Sequence, residues 1–198
     1  MALTLSPAGL RCATMAWCCL MAIIPTHLYA ETPTQALQAT LDRFQSILHD
    51  AGLGEDRRQE QVVGIILDRF DFREMSKRIL GPYWNQAVNH QDAFVAEFAA
   101  FMERIFLKHF DQIKGLKVSC RDEETQGSLA KVVTNLSTAG EEFPIIFRMH
   151  HQDSGWKIYD ATLGNGTFSL VSNYRTQLRW ILQSSSFEQL IQIISEKR

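Results

Sequence analysis

Apolar side chains recur along this chain with two different periods, and the change of period divides it. From Thr32 the pattern is helical. Thr32 can cap, Pro33 takes the first helical position, and Leu37, Leu41, Phe44 and Leu48 follow on one face until Gly52. A second helix carries Val62, Ile65, Ile66 and Phe70. Asp71 stands where an N-cap belongs and opens a short helix with Phe72, Met75, Ile79 and Leu80 inward, which Gly81-Pro82 closes. The strongest helical signal runs through Phe94, Phe98, Phe101, Ile105 and either Phe106 or His109 as far as Gly115.

After Gly115 the period becomes two. Leu116, Val118 and Cys120 alternate with Lys117, Ser119 and Arg121, and Ala130, Val132, Thr134 and Leu136 make the next strand. Phe143, Ile145, Phe147 and Met149 form a bulky stripe with Ile146 on the opposite face. A turn over 150–155 then leads to Trp156, Ile158 and Tyr159. Short connections between four successive strands predict an antiparallel meander. Two helices, around 170–182 and 187–194, close the chain. The predicted class is α+β, with helices packed over one face of a twisted, mainly antiparallel four-stranded sheet.

The first thirty residues are of another kind. Arg11 is the only charge before Glu31, the run Cys12 to Ile24 is almost wholly apolar, and Leu28-Tyr29-Ala30 ends on a small residue. That is the order of a secretory signal peptide cut near Ala30, and the run is too short to span a bilayer. Residues 31–198 then form a single domain destined for the periplasm. Cleavage removes Cys12, Cys18 and Cys19, so Cys120 has no partner for an internal disulfide and reads as a packed strand residue.

Composition narrows the chemistry. The chain is 45% apolar and 21% charged with a formal net charge of −2, which excludes disordered and collagen-like classes and argues against nucleic acid as a partner. There is no G-x-S-x-G, glycine-rich phosphate loop, H-E-x-x-H or C-x-x-C, so the reading is of no catalytic centre, metal or cofactor. His150-His151 beside Asp153 reads as a solvated hairpin, because adjacent strand residues point to opposite faces. Asp71 and Asp160 are the carboxylates closest to acid–base chemistry, and the N-cap role accounts for Asp71. The positive signal is a surplus of large apolar side chains, with 12 Phe and 4 Trp. Such stripes fill a core or line a pocket, and periodicity does not separate the two. Arg69, Arg73 and Lys77, with Arg78 beside them, make a basic ridge that is either a solvated face or a rim for phosphate or an acidic surface.

Three segments resemble one family. Phe70-Asp71-Phe72-Arg73-Glu74-Met75 followed by Leu80-Gly81-Pro82-Tyr83-Trp84 is similar to the F-D-F-x-x-M and L-G-x-Y-W signature of the MlaC family of periplasmic phospholipid-binding proteins. Trp156-Lys157-Ile158-Tyr159-Asp160 resembles the family's W-x-(I/V)-Y-D strand, and Ser169 to Arg175 resembles its S-L-V-x-N-Y-R helix start. The stretch between those two motifs, residues 161–168, is more polar than the family's usual turn. The resemblance runs from about Leu37 to Ile194.

It implies a monomeric, non-enzymatic carrier. Such a protein holds phospholipid acyl chains in an apolar pocket and moves lipid between an outer-membrane lipoprotein complex and an inner-membrane ABC transporter complex. Relatives associated with hopanoid synthesis share the domain, so another lipid such as a hopanoid is an alternative; an adaptor acting through protein contacts alone is another. The residues expected to line the pocket are Phe70, Leu80, Trp84, Phe98, Phe101, Ile105, Val118, Val132, Ile146, Phe147, Ile158 and Val171. They combine apolar size and periodicity with a place on the elements that the resemblance implies enclose lipid. Tyr83 and Tyr174 are expected at the rim, with Arg73 or Arg175 near the phosphate.

Overall fold

A computed structural model describes residues 31–138, 141–164 and 166–197; the expected signal peptide, with Cys12, Cys18 and Cys19, lies outside the described residues. Helix α1 (Pro33–Leu48) begins in a capping box, in which the Thr32 hydroxyl accepts from the Gln35 N–H and the Gln35 side chain accepts from the Thr32 N–H. Helix α2 spans Glu55–Arg69 and α3 spans Phe72–Leu80. The Asp71 carboxylate caps α3 by accepting the Glu74 N–H at 2.8 Å. Gly81 ends it with φ of 54°, a conformation that glycine reaches without strain from a Cβ. A 3-10 turn over Gly81–Asn85 follows.

The long helix expected to reach Gly115 breaks at His109 into α4 (Gln91–Lys108) and α5 (Phe110–Lys114). The break serves two different cores. Phe94, Phe98 and Phe101 pack with the C-terminal helices, whereas Phe110 turns toward Phe44 and Val62.

Five strands follow in chain order, all antiparallel to their neighbours: β1 (Lys117–Gln126), β2 (Leu129–Thr138), β3 (Glu141–Gln152), β4 (Gly155–Leu163) and β5 (Phe168–Ser169). The fifth strand was not expected, because two residues are too few to display an alternation. The register sets Val132 opposite Phe147, Thr134 opposite Ile145 and Leu136 opposite Phe143, which puts all six on one face. Helices α6 (Leu170–Leu182) and α7 (Phe187–Glu196) complete the fold, capped by Ser169 and Ser186. No helix among the described residues is long and apolar enough to cross a membrane.

A domain of this size usually has one contiguous core. This one has three. The largest is a bundle of α3, α4, α6 and α7 around Met75, Ile79, Phe94, Phe98 and Leu190, reaching the sheet through Tyr159. The second seats the start of α1 on the sheet, with Ala36 and Leu37 against Ala130, Val132, Met149, Trp156 and Ile158. The third joins the end of α1 to α2 and α5 through Phe44, Val62 and Phe110.

Candidate functional site

Where those cores meet, the sheet and the helices do not fill the space between them. Ala36 holds one end of α1 down on the strands, while Phe44 draws the other end toward α2 and α5. The gap is a cavity of about 190 Å³. Its wall takes Leu37, Leu41 and Phe44 from α1, Ile66 from α2, and Phe70 beyond it. Phe106 from α4 and Ile113 from α5 join them, and Leu116, Val118, Leu136, Ile145, Phe147 and Ile158 come from the sheet and its approach.

Among the described residues only two polar ones touch this wall, Thr40 and Arg69, and each turns its polar atoms away from the cavity. The Arg69 Nε donates to Thr40 Oγ1 at 2.6 Å and its Nη1 to the Trp156 carbonyl at 2.7 Å. Thr40 Oγ1 in turn donates to the Ala36 carbonyl at 3.0 Å. The arginine therefore offers the cavity its aliphatic stem. A wall without a free donor or acceptor suits a hydrocarbon, and it gives a charged headgroup nothing to replace its water.

Further bonds tie α1 to the sheet. Trp156 Nε1 donates to the Glu31 carbonyl at 2.8 Å, and the Glu123 carboxylate on β1 accepts the Thr34 N–H at 2.8 Å. Burial works to raise the pKa of Glu123, but hydrogen bonds from Thr34, Thr125 and Thr32 outweigh it and hold the carboxyl below the ordinary value. A carboxylate with a lowered folded pKa contributes stability above its unfolded pKa and loses it as the pH falls through the folded one. Glu123→Gln is therefore expected to cost less than about 1 kcal/mol at neutral pH, since the site is solvated. Urea titrations in acid, below the carboxylate range, should find variant and wild type equal.

Phe70, Val118, Phe147 and Ile158, all expected to line a pocket, lie together on this wall. The other expected residues stand elsewhere. Leu80, Phe98, Phe101 and Val171 are buried in the helical bundle, with Ile105 and Trp84 packed against it. Val132 is fully buried beneath the start of α1. Ile146 sits on the far face of the sheet, between Val133 and Thr162. The expected rim residues are also away from the wall. Tyr83 packs on the bundle, and Tyr174 meets Phe98 and Phe101 edge-on at 5.5 and 5.6 Å, where burial pushes its phenol pKa up. Arg73 pairs with Asp92 at 2.7 Å and lies over the Trp84 ring, and Arg175 donates to the Arg78 carbonyl. Lys77 and Arg78 both approach Glu74, at 3.9 and 2.8 Å, so the basic ridge is largely compensated.

Sequence reasoning left out Leu37, Leu41, Phe44, Ile66, Phe106, Ile113, Leu116, Leu136 and Ile145. The α1 face and the strand alternation carried most of them, but nothing in either period marks a face as unfilled.

The remaining chemical candidates have structural work. His150 is half-buried rather than a free hairpin residue: its Nε2 lies 2.9 Å from Asp71 Oδ2, and Gln152 donates to the same oxygen. These contacts tie the cap of α3 to the β3–β4 hairpin, beside a polar groove of about 440 Å³ that also includes Arg73, Glu74, Lys77 and Trp84. His151 instead faces Trp156 edge-on at 5.1 Å. Asp160 accepts from the Ser169 hydroxyl at 2.7 Å and the Val171 N–H at 3.1 Å, fixing the start of α6. Burial pushes the Cys120 thiol pKa up, with Asp42 and Glu123 adding to it, which disfavours the thiolate that a nucleophile needs. Among the described residues no three His, Cys, Asp or Glu gather as metal ligands.

Comparison with known proteins supplies a family. The family model described as MlaC protein matches residues 37–196. A solved structure, described as the phospholipid-binding protein from Ralstonia solanacearum in complex with a phospholipid, has the same fold with a TM-score of 0.70. It is 21% identical over 82% of this chain and 94% of its own. No curated protein matches.

Proposed function

The chain belongs to the MlaC family, and from that premise we propose that it is a lipid carrier of the periplasm, binding phospholipid by its acyl chains. The observation that carries the reading is the cavity wall, on which even Thr40 and Arg69 keep their polar atoms bonded to one another and to main-chain carbonyls. Each methylene moved from water to such a wall gains about 0.8 kcal/mol. Binding through the tail alone makes the carrier tolerant of headgroups. The description of the Ralstonia solanacearum protein as phospholipid-bound supports phospholipid as the class of ligand.

In this reading residues 1–30 direct export and are removed, and the domain acts as a monomer without catalysis. It takes lipid from one membrane complex and yields it to another, an outer-membrane lipoprotein complex and an inner-membrane ABC transporter complex. The structural roles of Asp71 and Asp160 support a non-enzymatic reading, since both carboxylates are engaged in holding helix starts.

The direct test is mass spectrometry of an organic extract of the protein, purified without detergent from a bacterial periplasm. Near-stoichiometric diacyl phospholipid is the expected result. A polycyclic isoprenoid in its place would change the ligand class, and an extract no richer than that of a control protein would remove the carrier reading.

A further inference from the structure

Beside the cavity stands a row of side chains to which the carrier reading gives no role. Phe143, Leu163 and Phe168 are 44%, 42% and 45% exposed. Single exposed apolar residues are ordinary on a protein surface, but neighbouring ones mark a contact. Strand register makes these neighbours: Leu136 opposes Phe143, Ile145 opposes Leu163, and Leu163 opposes Phe168. Opposed residues of an antiparallel pair share a face, as do residues two apart on one strand. Leu136 and Ile145 line the cavity, so the three exposed residues carry its wall outward onto the surface. The opposite end of the same face is shut, with Val132 and Met149 fully buried under α1.

The cavity is also small beside a membrane acyl chain. A cavity of about 150 Å³ accommodates a benzene ring, so one of about 190 Å³ holds roughly eight carbons on the same scale. A membrane acyl chain has about 16 carbons, half the thickness of a hydrocarbon core. The space therefore takes the inner part of such a chain, and the apolar wall that continues onto the surface offers a path for the rest.

We propose that Phe143, Leu163 and Phe168 form a second acyl-chain subsite, a surface lip that holds the headgroup-proximal half of the chain while its methyl end fills the cavity. This deepens the carrier reading and rests on it. The lip has a consequence for release: half of the chain is held on an open surface, so a receiving complex can take hold of it before the cavity empties.

The test is calorimetric titration of the purified, delipidated protein with single-chain lysophospholipids below their micelle concentration. One probe has about 8 carbons and the other about 16. The double variant Phe143→Ser with Phe168→Ser is expected to bind the short probe as wild type does and the long probe about 10-fold more weakly. Leu163→Ser alone should show the same length dependence to a smaller degree. Unchanged affinity for the long probe would overturn the proposal, because the cavity must then widen to take the whole chain. Equal weakening for both lengths would overturn it too, as would a wild-type dimer abolished in the double variant with long-probe affinity intact, which assigns the lip to a second copy. A wild-type protein that binds neither probe removes the carrier reading itself.

Discussion

Val118→Trp is expected to empty the protein of lipid while leaving it folded. Val118 lies on β1 opposite Leu136, half-buried, with its side chain on the cavity wall. An indole at that position projects into space that no other side chain among the described residues occupies, so it should fill rather than clash. Filling a cavity of about 190 Å³ displaces some eight methylenes, an upper bound of about 6 kcal/mol in lost burial. Co-purified lipid should fall from near-stoichiometric to the level of a control protein, measured by mass spectrometry of the extract. The urea midpoint should stay at or above that of wild type. A tryptophan variant that keeps its full complement of lipid would show that the ligand lies elsewhere.

The second large effect separates core from cavity. Phe98 is 1% exposed, stacked 6.2 Å from Phe94 and edge-on to Tyr174 at 5.5 Å, inside the helical bundle. Phe98→Ala should cost about 3–5 kcal/mol, because close-packed neighbours collapse only partly into the space left behind. That is a large part of the 5–15 kcal/mol that holds a typical domain together. Urea unfolding should report the loss, while the lipid carried per folded molecule stays at the wild-type value. Retained stability with selective loss of lipid would place the ligand in the bundle and contradict the assignment of the cavity.

These two residues also measure what periodicity can say. Phe98 and Val118 were both read as pocket-lining, one from a helical stripe and one from a strand alternation. Both side chains point inward. Burial behind Phe98 is complete, whereas Val118 faces open space, and the difference depends on where α1 lies. The break at His109 has the same origin. Phe106 and Phe110 fit one continuous apolar stripe, but they serve the cavity wall and the third core. The basic ridge shows the limit for charges. Arg69, Arg73 and Lys77 share a helical spacing, yet their partners are Thr40, Asp92 and Glu74, of which only the last is near in sequence.

Local chemistry determined a good deal by itself. Caps at Thr32 and Asp71, the stop at Gly81, the alternation from Leu116 onward and the three family segments are decided by residues a few positions apart, and a sequence displays such relations directly. Four strands in meander order followed from the same short-range logic. The cavity was decided by tertiary structure alone. It exists because α1 is held at one end by Ala36 and Leu37 against the sheet and at the other by Phe44 against α2 and α5. An unfilled space is a relation among elements far apart in the chain, and apolar residues look the same from either side of it.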